Sequence, residues 1–164
     1  MKRRQASLYL TSALPIDTLR RCYNPEQARL IPPHVTLCRE DEVSDWEVFR
    51  ERVRAQGPIE LTLEFGVPLR ENDFVFLPIT GGAEKFHQLR RALLMDEPRN
   101  STPHLTIIHP RNGRCTDEIF ADILSRVSPF QYTFHEVHLI EQLDGGVWNL
   151  VDRVGSARDR AEKG

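Results

Sequence analysis

A chain of 164 residues, 40% hydrophobic and 28% charged, is sized for one domain or two small lobes sharing a core. Its formal net charge of −2 argues against a broad basic face that tracks long nucleic acid, while leaving room for a local basic patch around one phosphate. The three cysteines, Cys22, Cys38 and Cys115, cannot all pair with one another and match no zinc spacing, so reduced structural thiols and a cytoplasmic location are expected.

Lys2-Arg3-Arg4 precedes a moderately apolar run from Ala6 to Leu14, but Gln5, Ser7, Thr11 and Ser12 interrupt it. The alternation of Leu8 and Leu10 with Ser7, Tyr9 and Thr11 reads as a first strand over 5–12 rather than a signal peptide. No apolar run has the length of a membrane span. Pro15 ends the strand and Asp17 is placed to cap a short helix. Cys22 to Pro33 is expected to be loop-like or weakly helical, and Pro32-Pro33 forces an extended approach to a strand from His34. After a polar loop over 39–42, Ser44 and Glu47 form a capping box for a helix over 44–56 with an apolar stripe of Trp46, Val48, Phe49 and Val53. Gly57-Pro58 stops it, and a strand alternates over 59–65.

A second unit follows with a strand over 73–79, a helix over 83–95 (Phe86, Leu89, Leu93), a polar loop over 96–103 and a strand from His104 to about His109. Thr116 or Asp117 caps a helix with Ile119, Ile123 and Leu124 on one face, which Pro129 breaks. Segments 130–143 and 147–154 form a closing hairpin around Asp144-Gly145-Gly146, and 155–164 is a charged, frayed tail.

The chemistry lies in two near-identical stretches, Pro33-His34-Val35-Thr36-Leu37 and Pro103-His104-Leu105-Thr106-Ile107, 70 residues apart. On a strand, residues two apart share a face, so each stretch presents one imidazole and one hydroxyl while its aliphatic residues point into a core. The same order of elements around both motifs indicates internal duplication, with 44–56 matching 116–126 and 59–65 matching 130–136. The expected fold is α+β and bilobal: two pseudo-twofold-related lobes of antiparallel sheet with flanking helices around a central cleft, all within one domain over 1–154.

Duplicated Pro-His-x-Thr strands resemble those of the two-histidine (2H) phosphoesterase superfamily, whose bacterial branch includes 2'-5' RNA ligase and RNA 2',3'-cyclic phosphodiesterase proteins. The resemblance implies metal-independent chemistry on phosphodiesters, with His34 and His104 as general acid and base and Thr36 and Thr106 holding the phosphate. It implies no cofactor, and as ligand a nucleotide or an RNA terminus bearing a cyclic phosphate. The family often carries a basic or aromatic residue soon after each motif. Arg39 and His109 hold that place here, yet strand alternation aims them away from the cleft unless a bulge intervenes.

The residues support this chemistry on their own terms. In-line hydrolysis of a cyclic phosphate needs a base for the water and an acid for the leaving ribose oxygen, on opposite sides of phosphorus. Histidine serves either role near neutral pH, and the sequence leaves open which is which. Run backwards with a ribose hydroxyl in place of water, the same steps would be ligation. Two histidines without a carboxylate or cysteine cluster make a poor metal site. Arg111, Tyr9 and Tyr132 are further candidates for substrate contact, the tyrosines by stacking on a base, and Arg99 is a candidate for reaching a phosphate. For Arg111 and Arg99 a solvated loop position is the alternative, and for Tyr9 and Tyr132 ordinary packing. Cys38 continues the His34–Thr36 face by parity, with nothing placed to activate a thiolate. His87, His135 and His138 have no partner pattern and read as structural. The competing functions are hydrolysis of another cyclic phosphodiester or a 2'-5' linkage, and a phosphate- or RNA-end-binding module without turnover. No membrane association and no obligate protein partner are expected.

Overall fold

Nine strands, every pair antiparallel, and five α-helices make up residues 1–12, 15–95 and 98–156, which are those described by the computed structural model. The tail expected over 155–164 lies outside the described residues from position 157 onward, as do the end of the first apolar run (13–14) and the first two residues of the 96–103 loop.

β1 (Lys2–Tyr9) starts and ends three residues earlier than alternation indicated, because it pairs with β8 (Val137–Leu143) from Lys2 opposite Leu143 onward. Leu10 leaves the strand while its N–H still bonds the Pro33 carbonyl. Two short helices follow, α1 (Ile16–Tyr23) and α2 (Pro25–Leu30), where a loop or weak helix was expected from Cys22 on. Pro25 occupies the first turn of α2, where its missing N–H would have no partner in any case. Asp17 does not cap α1; it sits in the first turn and pairs with Arg21 at 2.9 Å.

The motif strands are β2 (His34–Cys38) and β6 (His104–Ile108). α3 (Trp46–Ala55) is capped by Asp45, not Ser44: Asp45 is extended, and its carboxylate accepts from the Glu47 and Val48 N–H groups at 3.0 and 3.1 Å. β3 (Leu61–Phe65), β4 (Leu69–Glu71), β5 (Phe74–Gly81) and α4 (Ala83–Leu94) come next. The β4–β5 hairpin went unread because Asn72, rather than glycine, takes the left-handed turn position at φ 55°. α5 (Asp117–Arg126) is capped by Thr116, as one of the two expected residues. The closing segment is two strands, β7 (Phe130–Phe134) and β8, before β9 (Trp148–Val154). Asp144 and Gly145, both at positive φ, turn β8 into β9. Val48 and Leu124, expected on apolar stripes, are exposed.

The sheet runs β7-β3-β5-β6-β2-β1-β8-β9, with β4 beside β5. Read outward from its middle, the order is the same on both sides: motif strand, the strand preceding it, then two more. β8 therefore takes the place opposite β3, and β9 the place opposite β7, so the strand matched to β3 is 137–143 rather than 130–136. β2 and β6 meet at one register pair, Val35 opposite Leu105, which are themselves 70 residues apart. Tyr9 pairs with His34 and Ser7 with Thr36; Pro78 pairs with His104 and Phe76 with Thr106. The two motifs are thus held in the same register by equivalent neighbours. Val35, Leu37, Leu105 and Ile107 are completely buried in the core beneath.

Candidate active site

Strand pairing brings both motifs to one cleft of about 190 Å³, whose wall includes His34, Thr36, His104 and Thr106. Each imidazole is fixed the same way. His34 Nδ1 lies 2.9 Å from the Pro32 carbonyl and His104 Nδ1 lies 3.0 Å from the Thr102 carbonyl. A carbonyl only accepts, so Nδ1 carries the proton and Nε2 is left to take or give one. The carbonyl two residues back is a local partner that the extended Pro-Pro and Thr-Pro approaches make reachable.

The environments of the two rings differ. Burial pushes the His34 pKa from 6.5 down to about 4, with Arg20 and His104 adding to the shift against the Pro32 carbonyl. His34 also meets Tyr9 edge-on, with 6.4 Å between ring centroids. His104 is instead flanked edge-on by the stacked rings of Phe74 and Phe76, at 5.7 and 5.8 Å. Thr36 has a polar neighbour: Gln5 Nε2 donates to its Oγ1 at 3.2 Å and to Ser7 Oγ at 2.8 Å. With an acceptor position on Oγ1 filled, the Thr36 hydroxyl proton is available to the cleft.

Arg39 and His109 also line the cleft, and the geometry supplies the bulge their position requires. Register slips by one residue in both motif strands. Ser7 faces Thr36 while Ala6 faces Cys38, and Phe76 faces Thr106 while Val75 faces Ile108. The extra residues are Leu37 and Ile107. After each bulge, two consecutive side chains are buried, and the next residue returns to the cleft. Cys38 is consequently in the core, completely buried, with its thiol pushed up to about 12 by desolvation, and parity misplaced it. Burial, then Arg111 and His104, lowers the His109 pKa, and His109 Nδ1 accepts the Arg111 N–H at 3.1 Å.

Arg111 lines the cleft as well, but the two tyrosines do not. Tyr9 is stacked on His138 at 4.4 Å, its phenol pushed up to about 12 by burial, and it lines a separate hollow with Thr11, Arg21 and Pro33. Tyr132 packs against the core, and its hydroxyl is bonded to Thr11. Arg99 is held by both carboxylate oxygens of Asp41, at 2.8 and 2.9 Å, in the wall of an adjoining hollow that shares Thr36, Arg39 and His104 with the cleft.

Arg3, Gln5, Arg20, Gln27, Ile31 and Trp148 complete the cleft, and sequence reasoning missed them. Arg3, Gln5, Ser7 and Tyr9 alternate on one face of β1, which was a readable signal once β1 is paired with β2. Trp148 arrives from β9 with the Arg3 guanidinium over its ring at 5.5 Å, a contact no local pattern announces.

Behind the cleft, Asn24 is completely buried between α1 and α2. Its Oδ1 accepts the His109 N–H at 2.8 Å and its Nδ2 donates to Asn112 Oδ1 at 3.0 Å. Gly113 closes the loop where a Cβ would stand 2.6 Å from Ile108 and 2.9 Å from Asn24 Nδ2, so only glycine fits. Asn24 thereby sets the loop that carries His109 and Arg111. Asn24→Ala leaves the partly buried His109 N–H without its partner, at roughly 1–3 kcal/mol. Thermal unfolding should show a midpoint lower by several degrees, with a loss of substrate affinity beside it.

A family model described as the 2'-5' RNA ligase superfamily matches residues 9–146. A Bacillus licheniformis protein with a provisional phosphoesterase name is 26% identical over 151 residues, spanning 83% of this chain and 86% of its own length. A Geobacillus thermodenitrificans protein named in the same way is 25% identical, spanning 83% and 84%. Among solved structures, E. coli LigT complexed with ATP superposes with a TM-score of 0.60 at 16% identity, covering 94% of this chain and 98% of that one. A Thermus thermophilus structure does so at 0.56 and 16%, covering 94% and 98%. The structural likeness extends the common fold over nearly the whole chain, and the match over 9–146 takes in both Pro-His-x-Thr strands: the chain belongs to the 2'-5' RNA ligase superfamily.

Proposed function

We propose that the protein is a metal-independent phosphodiesterase that opens 2',3'-cyclic phosphates on nucleotides or RNA ends, with His34 as general base and His104 as general acid. The observation that carries this reading is the pair of imidazoles lining one cleft, each held through Nδ1 and each accompanied by a threonine hydroxyl. The names of the relatives support phosphoester chemistry. Solved complexes of LigT with ATP, NADP+, 3'-AMP and phosphate support a nucleotide as ligand.

His34 Nε2 takes a proton from water as its oxygen bonds to phosphorus. The bond from phosphorus to one ribose oxygen breaks, and His104 Nε2 gives that oxygen its proton. Thr36 and Thr106 donate to the non-bridging oxygens as their charge rises. The roles follow from the environments: a ring whose pKa is lowered to about 4 is neutral at pH 7 and ready to accept. Trp148 under Arg3 offers a face on which a nucleobase can stack. Reversal with a ribose hydroxyl in place of water would make the same site a ligase.

Turnover of 2',3'-cyclic nucleotides in the presence of chelator tests the reading. The pH profile tests the assignment. The acid limb of kcat/KM should fall only as the pH approaches about 4, rather than near the ordinary 6.5, because the limb reports the base of the free enzyme. The same lowering has a stability consequence of defined sign. The unfolded chain takes up a proton on this residue below about 6.5 while the folded chain resists until about 4. The contribution of His34 to stability is thus complete above that window and is lost through it as the pH falls.

A further inference from the structure

The positive charge of the cleft exceeds what one phosphodiester needs. Arg3, Arg20, Arg39 and Arg111 line it together with the histidines and, among the described residues, no carboxylate, in a chain of net charge −2. A cyclic phosphodiester brings a single negative charge, and in the proposed chemistry its oxygens are met by Thr36 and Thr106.

Arg20 stands out among the four. It is 2% exposed, and its Nη2 donates to the Ile31 carbonyl at 2.9 Å while Nε and Nη1 are buried without a partner among the described residues. The acid that acts on it most directly, Asp17, is engaged by Arg21. A buried cation with two unmet donors is costly to keep, and its place in the wall of the cleft sets its positive charge beside any anion the cleft takes. Arg111 is exposed, with no side-chain ion pair among the described residues. Its loop is tied to the α1–α2 segment that carries Arg20, since Asn112 Nδ2 donates to Gln27 Oε1 at 2.9 Å and Gln27 lines the same cleft as Arg20.

We infer that Arg20 and Arg111 form a second anion subsite on the His34 side of the cleft, which takes a phosphate group that the substrate carries in addition to the reacting cyclic phosphate. The favoured substrate class is then a cyclic-phosphate nucleotide or oligonucleotide end with a further phosphate on the same or the adjoining sugar. The inference rests on the phosphodiesterase reading for the role of the first phosphate, but occupancy of the subsite requires no turnover.

Two measurements test it on the full chain. The first compares kcat/KM for adenosine 2',3'-cyclic phosphate with and without a 5'-phosphate. Wild type should favour the 5'-phosphorylated substrate by about tenfold or more, the scale of one charge-assisted contact. Arg20→Gln should bring that ratio close to one, and Arg111→Ala should reduce it several-fold. A wild-type ratio near one overturns the inference. So does an Arg20→Gln variant in which both substrates fall together with the ratio intact, which would make Arg20 a positioning residue for His34. Should Arg20→Gln fail to fold, the exposed Arg111→Ala carries the test, and an unchanged ratio there overturns the subsite as stated. The second measurement is calorimetric binding of adenosine 3',5'-bisphosphate against adenosine 3'-monophosphate. A tenfold advantage for the bisphosphate that Arg20→Gln removes, with neither cyclic substrate hydrolysed, sustains the subsite and sinks the phosphodiesterase reading. Hydrolysis of both cyclic substrates at equal efficiency does the reverse.

Discussion

Replacement of either His34 or His104 by alanine should lower kcat on a 2',3'-cyclic nucleotide by about a hundred- to ten-thousandfold, the usual worth of a positioned acid or base. The double variant should fall little below the worse single one, because acid and base act on one transition state and their losses do not add. The folded state should survive both changes, since the rings are half-buried and each makes one backbone bond. The roles can be separated with a substrate whose leaving group is a good one, such as a nitrophenyl phosphodiester. A leaving group that departs without protonation needs no acid, so His104→Ala should recover most of its activity on that substrate. His34→Ala should stay impaired, because water still has to lose a proton. Equal recovery by both variants would reverse or remove the assignment, and undiminished turnover in either would end the acid–base reading.

The four central residues were legible because strand geometry and sequence repetition reinforce one another. Period-2 alternation places His34 with Thr36 and His104 with Thr106, and nothing in the tertiary structure has to be known for that. The same rule failed one step later, at Cys38 and at Arg39 and His109, because a bulge inserts Leu37 and Ile107 and shifts every following side chain. No local pattern in Leu37-Cys38-Arg39 or Ile107-Ile108-His109 distinguishes a bulged strand from a straight one. Arg20, Asn24 and Gln27 were hidden for another reason. Arg20 and Gln27 sit on two short helices and Asn24 at the junction between them, and they matter only because α1 packs on β6. Pairing was likewise invisible: that β8 rather than β7 holds the place opposite β3 follows from sheet order, which a shared offset of 70 does not determine. The registers on either side of Val35 and Leu105 match, so the two motif strands and their neighbours are related by an axis through that pair.

The largest effect on stability is expected away from the histidines, at the ion pair of Glu42 and Arg90. The Arg90 side chain is 1% exposed and that of Glu42 is 9% exposed. The guanidinium also donates to the carbonyls of Leu37 and Arg99. It thus fastens the β2 bulge, the 3-10 turn Glu40–Glu42 and the loop that leads to His104 in one place. Glu42→Ala leaves a buried cation with no countercharge, a change that typically costs about 3–5 kcal/mol. For a chain of this size that corresponds to a thermal midpoint lower by roughly 6–20 °C. A double variant, Glu42→Leu with Arg90→Met, removes both charges and should be more stable than Glu42→Ala, since the penalty lies in the unpaired charge rather than in the loss of the pair. A double variant less stable than the single one would mean that the carbonyl bonds of Arg90, not its charge balance, hold this region. The pH dependence gives a further check. Burial pushes the Glu42 carboxyl up, but its bonds to Arg90 and to the Arg39 N–H, with the charges of Arg90 and Arg99, bring it below its ordinary 4.5. The contribution of Glu42 is therefore full above about 4.5 and fades as the pH drops through the lower folded value, so wild type should lose stability over that acid range and Glu42→Ala should lose less.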